Sequence, residues 1–177
     1  VSCSETKKES TTDLIDIKLQ LNWMPEAEHG GYYEALVKGY FAEEGLNVEI
    51  IPGGPGVRVE TETALERVQF GIANADKILI VGDKGMKLHA LMSPYEKSPR
   101  CLIAHSSLGI NTFADLKKAK VLIVNNTKPY YHWLKYKFPS IENIDTIPYN
   151  KATFMSTKNA IIQGYSNSEP LIFQDKG

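Results

Sequence analysis

Residues 15–51 read IDIKLQLNWMPEAEHGGYYEALVKGYFAEEGLNVEII, and three patterns follow one another along them. Ile15 to Leu21 alternates apolar and polar side chains, as a strand with one buried face does. His29 to Glu44 carries Tyr32, Tyr33, Leu36, Val37, Tyr40 and Phe41 at helical spacing before Gly45 stops it. Leu46 to Ile51 is rich in β-branched residues and predicts a second strand. A strand, a loop with a helix, and another strand make a unit of two parallel strands under a helix.

Outward from this unit the alternation continues. Pro52-Gly53-Gly54-Pro55-Gly56 breaks the second strand, Val57 to Arg67 predicts a helix, Val68 to Ala73 a strand, Asn74 to Gly82 a helix and Lys87 to Met92 a strand. Ser93 to Pro99, with two prolines among polar residues, reads as a crossover between domains. The pattern then restarts. Arg100 to His105, Lys120 to Val124, Ile144 to Tyr149 and Ala160 to Tyr165 predict strands; Thr112 to Lys117, Pro129 to Lys137 and a turn around Ala152 to Ser156 predict helices. The expected fold is α/β with two small lobes, each a mostly parallel sheet flanked by helices. The expected division is a tether over 1–13, a first lobe over 14–97, a second over 98–170, and a return crossover beginning at 171–177.

Composition narrows the function. The 20 basic and 21 acidic side chains leave a formal net charge of -1, so no sequence-wide attraction to phosphate backbones exists and no nucleic-acid partner is expected. The longest apolar runs, Ile78 to Val81 and Val121 to Val124, are far shorter than the ~20 residues that span a bilayer. Cys101 lies in an apolar stretch and reads as a small buried hydrophobe. Cys3 follows Val1-Ser2 and precedes a tract from Ser4 to Asp13 without an apolar residue, a composition suited to a solvated tether. That start resembles the end of a bacterial lipobox, with Cys3 the lipidated residue; the alternative is a polar terminus with an incidental cysteine. Membrane association is expected only through such an anchor.

In open α/β sheets ligands bind in loops at the carboxyl ends of the strands. Trp23, Glu26, His29 and Tyr32 follow the first strand within one loop and a helix start, where Trp23 and Tyr32 can stack on a flat ring or serve as interior packing. Gly54, Gly56 and Val57 precede a helix whose free N–H groups could receive an anion or a carbonyl. Asn74 and Asp76 follow the third strand and can cap the next helix, or Asn74 can bind ligand. Tyr95 in the crossover, and Asn125 and Tyr130 in the loop after a strand of the second lobe, are further candidate ligand contacts, while Trp133 is assigned to packing. Tyr165 ends the last strand. Glu169 is either a carboxylate that orients a ligand through charge-assisted hydrogen bonds or a solvated hinge residue. His29, His89, His105 and His132 are scattered without metal-site spacing, and no nucleophile motif is present, so neither a metal, a cofactor nor an enzyme activity is expected.

Leu21-Asn22-Trp23-Met24-Pro25-Glu26-Ala27-Glu28-His29-Gly30-Gly31-Tyr32-Tyr33, continuing through Lys38-Gly39-Tyr40-Phe41, resembles the opening of solute-binding proteins of ABC importers in the nitrate, sulfonate and thiamine-pyrimidine branch. The likeness runs on through Phe70 to Asp76, Pro94-Tyr95 with Ser98-Pro99, Ile110 to Lys117, Asn159 to Tyr165 and Ser168-Glu169-Pro170. It implies a two-lobed, type II periplasmic-binding-protein-like fold. It further implies a lipid-anchored receptor in the periplasm or at the cell surface that closes on a small heteroaromatic vitamin precursor, a thiamine pyrimidine or a riboflavin-like ring, for an ABC permease. Closure would turn on Pro94 to Pro99 and Ser168 to Leu171. The resemblance also extends to pyrimidine synthases that consume one of their own histidines, with His29 in the corresponding neighbourhood. A binding or sensory domain without transport is a third reading. Family members return to the first lobe after the Ser-Glu-Pro crossover, so these residues are expected to be either a fragment of a longer protein or a shortened relative whose first lobe lacks that return segment and is covered by another chain in an oligomer.

Overall fold

The computed structural model describes residues 13–175; Cys3 and the polar tract before Asp13 lie outside them. The chain divides between Leu91 and Met92 into two compact units. The first contains β1 (Ile15–Gln20), a 3-10 turn (Ala27–His29), α1 (Gly30–Val37), α2 (Tyr40–Glu43), β2 (Leu46–Ile51), α3 (Val59–Ala64), β3 (Phe70–Gly71) and α4 (Ala75–Asp83). Its strands lie in the order β2-β1-β3, all parallel, with Ile15 beside Leu46 through Gln20 beside Ile51. The βαβ reading of residues 15–51 therefore holds.

Three details differ from the sequence expectation. The long helix over 29–44 is two helices, because Gly39 adopts φ 78°, a left-handed conformation that ends α1 and lets α2 restart. The strand over 68–73 shrinks to two residues. Where a longer strand would pair with β1, the Gln69 side chain instead accepts the Lys18 backbone N–H at 2.8 Å. Residues 87–92 form no strand: Leu91 and Met92 are each 71% exposed, and a segment that buries no apolar face gains little from joining a sheet.

The second unit contains β4 (Arg100–Ala104), β5 (Val121–Ile123), α5 (Pro129–Lys137), β6 (Asp145–Ile147), α6 (Lys151–Ser156), β7 (Ala160–Tyr165) and α7 (Glu169–Asp175), with 3-10 turns between. The strand order is β4-β7-β5-β6. β5 runs parallel to β6 and β7, whereas β4 is antiparallel to β7, so the sheet is mostly parallel as expected, with one antiparallel strand at its edge. Of the residues expected to begin a return crossover, 171–175 lie in α7.

Period-two geometry explains how this sheet is buried on both faces. Leu122 lies beside Ile161 and Ile123 beside Ile162. The first pair joins Leu116, Val124, Leu134, Ile141 and Ile144 on one face. The second joins Phe154, Ala160 and Phe173 on the other. Each such fully buried aliphatic side chain is stabilised by about 1.5–3 kcal/mol relative to exposure. Local signals set the ends: Pro129 opens α5, the Asn150 side chain accepts the Thr153 N–H at 2.9 Å to cap α6, and Thr112 pairs reciprocally with Asp115 at a 3-10 turn.

Candidate functional site

In the first unit the carboxyl ends of β1 and β2 are joined by polar contacts. The Gln20 amide, 7% exposed, donates to the carbonyls of Leu21, Ile51 and Pro52 at 3.1–3.2 Å. The Gly53 N–H donates to the Trp23 carbonyl at 2.9 Å. A Cβ on Gly53 would stand 2.3 Å from the Leu21 carbonyl oxygen and 2.5 Å from the Trp23 nitrogen, so only glycine fits against this loop. Trp23 is half-buried on the loop so formed, and Glu26 and Tyr32 are half-buried after it.

His29 is 1% exposed. Its Nδ1 accepts the Glu26 backbone N–H at 3.3 Å, and its Nε2 lies 3.0 Å from Asn22 Oδ1. Burial pushes its imidazole below the ordinary histidine value. The sequence offered His29 as a ligand contact; the structure places both of its nitrogens inside the loop.

The glycine-rich turn behaves differently from expectation. Helix α3 begins at Val59, two residues beyond Val57, and the Val57 N–H donates to the Gly54 carbonyl at 3.2 Å. That donor is therefore used within the turn that holds Gly54 and Gly56. Asn74 stands at the start of α4 without a side-chain cap bond, and Asp76 Oδ1 accepts the Lys77 N–H at 2.9 Å.

In the second unit the loops after β5, β6 and β7 share one sheet edge. Asn125 Oδ1 accepts from the Thr127 N–H and hydroxyl at 3.1 and 2.7 Å, and the Asn125 N–H donates to the Tyr130 hydroxyl at 3.1 Å. Burial raises the Tyr130 phenol above its ordinary value. The Arg100 guanidinium lies over the Tyr130 ring, 4.7 Å from its centroid. Because β4 is antiparallel, its first residue, Arg100, pairs with Tyr165 at the end of β7 and so reaches the carboxyl edge. A cavity of about 200 Å³ lies there, lined by Asn125, Asn126, Thr146, Pro148 and Tyr149. That is below the ~300 Å³ at which ligand pockets begin. A larger one, about 440 Å³, is lined by Lys151, Met155, Ile172 and Phe173 on α6 and α7 and contains none of the expected site residues.

Glu169 is 3% exposed, which removes the solvated-hinge alternative. Its Oε2 accepts the Tyr165 N–H at 2.7 Å; its Oε1 accepts the Tyr149 hydroxyl at 2.9 Å and lies 3.5 Å from Lys151 Nζ. Cys101 is half-buried, and its thiol is pushed up by burial and by the Glu169 charge. Tyr95 accepts from the Asn167 amide at 3.0 Å. Trp133, assigned to packing, stays 52% exposed with its edge toward Phe138.

The structure thus gathers Trp23, Glu26, His29 and Tyr32 in one segment of the first unit, and Asn125, Tyr130, Tyr165 and Glu169 along one edge of the second. Gln20, Asn22, Gly53, Arg100, Tyr149 and Lys151 were missed. Arg100 could have been found only by knowing that β4 runs antiparallel. Among the described residues no group of three or more His, Cys, Asp or Glu side chains could hold a metal ion, and no helix is long and apolar enough to cross a membrane.

Parallel-dominated sheets flanked by helices, with aromatic, amide and carboxylate groups in their carboxyl-end loops, make this a mixed α/β protein whose architecture is consistent with a periplasmic-binding-protein-like fold. The chain belongs to the NMT1/THI5 like family, whose model matches residues 26–177, so the sequence resemblance is borne out. The chain is 28% identical over 93 residues to a formylaminopyrimidine-binding protein of Halalkalibacterium halodurans, covering 52% of this chain and 28% of that protein. It is 21% identical over 173 residues to the riboflavin-binding protein RibY of Chloroflexus aurantiacus, covering 93% and 49%. A 4-amino-5-hydroxymethyl-2-methylpyrimidine phosphate synthase of Legionella pneumophila is 27% identical over 105 residues, covering 59% and 33%. The matches span about half or less of the length of these relatives.

Proposed function

We propose that this chain binds a small heteroaromatic solute, an aminopyrimidine before a riboflavin-like ring, as the receptor of an ABC importer outside the cytoplasm. The observation that carries this is the loop after β1, which holds Trp23 half-buried at the carboxyl edge of a parallel sheet by backbone and side-chain contacts of its own unit. Similarity to proteins named for binding a formylaminopyrimidine and riboflavin, both flat heteroaromatics, supports the ligand class.

Replacing Trp23 by alanine should weaken binding of 4-amino-5-hydroxymethyl-2-methylpyrimidine tenfold or more, because stacking on an aromatic contributes about 1–3 kcal/mol. Isothermal titration calorimetry measures it, and an unchanged affinity removes Trp23 from the site. Mass spectrometry of membrane extracts should find diacylglycerol on Cys3; a bare thiol on protein that has passed through its native export would end the anchored-receptor part of the reading.

The second reading is a pyrimidine synthase, supported by the similarity to the Legionella protein. It is disfavoured by the burial of His29, whose nitrogens are both engaged within the loop.

A further inference from the structure

We propose that His29 is a positioning residue: fixed as the neutral Nε2–H tautomer, it ties Asn22 to Glu26 and so sets how Trp23 is presented to a flat ligand. The inference rests on the aminopyrimidine-binding reading above and deepens it.

The tautomer follows from the partners. A backbone N–H can only donate, so Nδ1, facing the Glu26 N–H, carries no hydrogen. The single hydrogen of a neutral ring is then on Nε2, and it points at Asn22 Oδ1. With both nitrogens occupied and the ring 1% exposed, His29 has nothing left to offer a ligand while this arrangement lasts.

What it controls is the segment it spans. Residues 22 and 26 are the two ends of Asn22-Trp23-Met24-Pro25-Glu26, and the ring holds both. From the β2 side the same segment is held by the Gly53 N–H on the Trp23 carbonyl, with the Gly53 Cα too close for any side chain. Trp23 thus sits between a backbone contact and an imidazole brace. Remove the brace and residues 23–25 keep only the Gly53 contact among these.

The test uses the 177-residue chain with Trp133 replaced by phenylalanine, so that Trp23 is the single tryptophan. Acrylamide quenching reads Trp23 in ligand-free protein, and calorimetry reads affinity for 4-amino-5-hydroxymethyl-2-methylpyrimidine. His29→Ala and Asn22→Ala should each raise the quenching constant at least twofold and weaken affinity at least fivefold. His29→Gln, which keeps a donor near Nε2, should recover part of both. In a Trp23→Ala background, His29→Ala should cost less than a further twofold in affinity.

Unchanged quenching in folded His29→Ala or Asn22→Ala protein overturns the proposal. So does an undiminished fivefold loss in the Trp23→Ala background, which would mean that His29 acts on the ligand or the fold without Trp23. If His29→Ala does not fold, Asn22→Ala and His29→Gln decide by the same criteria. If the parent protein binds no aminopyrimidine, the functional reading fails while quenching alone still decides whether His29 positions Trp23.

Discussion

The two units reach similar strand-edge loops by different means. Of the nineteen buried apolar residues described, five lie in the first unit (Leu19, Leu21, Val48, Val59, Val68) and fourteen in the second. The first unit arranges its site segment with polar and backbone contacts: the Gln20 amide across three carbonyls, the His29 ring across the loop, and Gly53 against the Trp23 backbone. The second arranges its edge on a sheet buried on both faces, with a buried carboxylate, Glu169, between the end of β7 and Tyr149. Apolar packing is non-directional and tolerates some rearrangement, whereas a hydrogen-bonded loop has one geometry. The first unit is therefore the part in which a small change should alter ligand geometry before it alters stability.

The strongest way to break this contrast is in the second core. Leu122, 0% exposed and packed beside Ile161, should lose about 2–5 kcal/mol when replaced by alanine. Hydrogen exchange resolved by peptide should show the loss within residues 92–175. A loss spread equally over the first unit would mean that the two are one cooperative body. Next in size is Gly53→Ala. Its Cβ would collide with backbone atoms that cannot rotate away, so the first unit should lose about 1–3 kcal/mol, as overpacked sites do. The quenching of Trp23 should change with it. An unperturbed tryptophan would show that the loop is not set from the β2 side.

How legible each unit was in the sequence follows from the same difference. Apolar periodicity located Leu46–Ile51, Pro129–Lys137 and Ala160–Tyr165 at their observed bounds, because those elements bury a regular face. It failed at 87–92, where the side chains are mostly exposed and bury no regular face. Strand direction carries no local signal. Arg100 was invisible as a site residue because a parallel β4 would put it at the opposite edge from Tyr165. His29 was legible as belonging to the site segment but not as a brace, since the choice of a ligand or Asn22 as its partner is made by three-dimensional proximity. Glu169 was singled out as a ligand carboxylate or a hinge residue, and its internal partners Tyr149 and Lys151 were out of reach of any local pattern because they lie 20 and 18 positions away.

A smaller effect sharpens the contrast by acidity. His29 is neutral in the folded first unit and its folded value is lowered by burial, so below its ordinary value of about 6.5 the unfolded chain binds the proton more readily. The histidine's favourable contribution is complete above that value and is lost as pH falls from there toward the lowered folded value. Exchange of residues 15–51 should accelerate between neutral pH and pH 5 relative to a His29→Gln variant, after correction for intrinsic rates. Equal acceleration in both proteins would assign the acid sensitivity elsewhere.

The smallest expected effect lies at Arg100. Its guanidinium rests on the Tyr130 face at 4.7 Å, and such contacts at partly exposed positions contribute about 0.5–1 kcal/mol. Arg100→Met keeps the unbranched stem that packs beside the ring and removes the charge, so stability in the second unit should fall by about that amount or somewhat more. If Arg100 serves only contacts within the second unit, affinity for an aminopyrimidine should be unchanged. If it also donates to the ligand, affinity should fall by about tenfold, since a hydrogen bond from a charged donor contributes about 1.5–3 kcal/mol. A large loss of affinity with little loss of stability would reverse the contrast drawn above, making the densely packed unit the one that discriminates among ligands and the polar loop around Trp23 the one that merely accepts a flat ring.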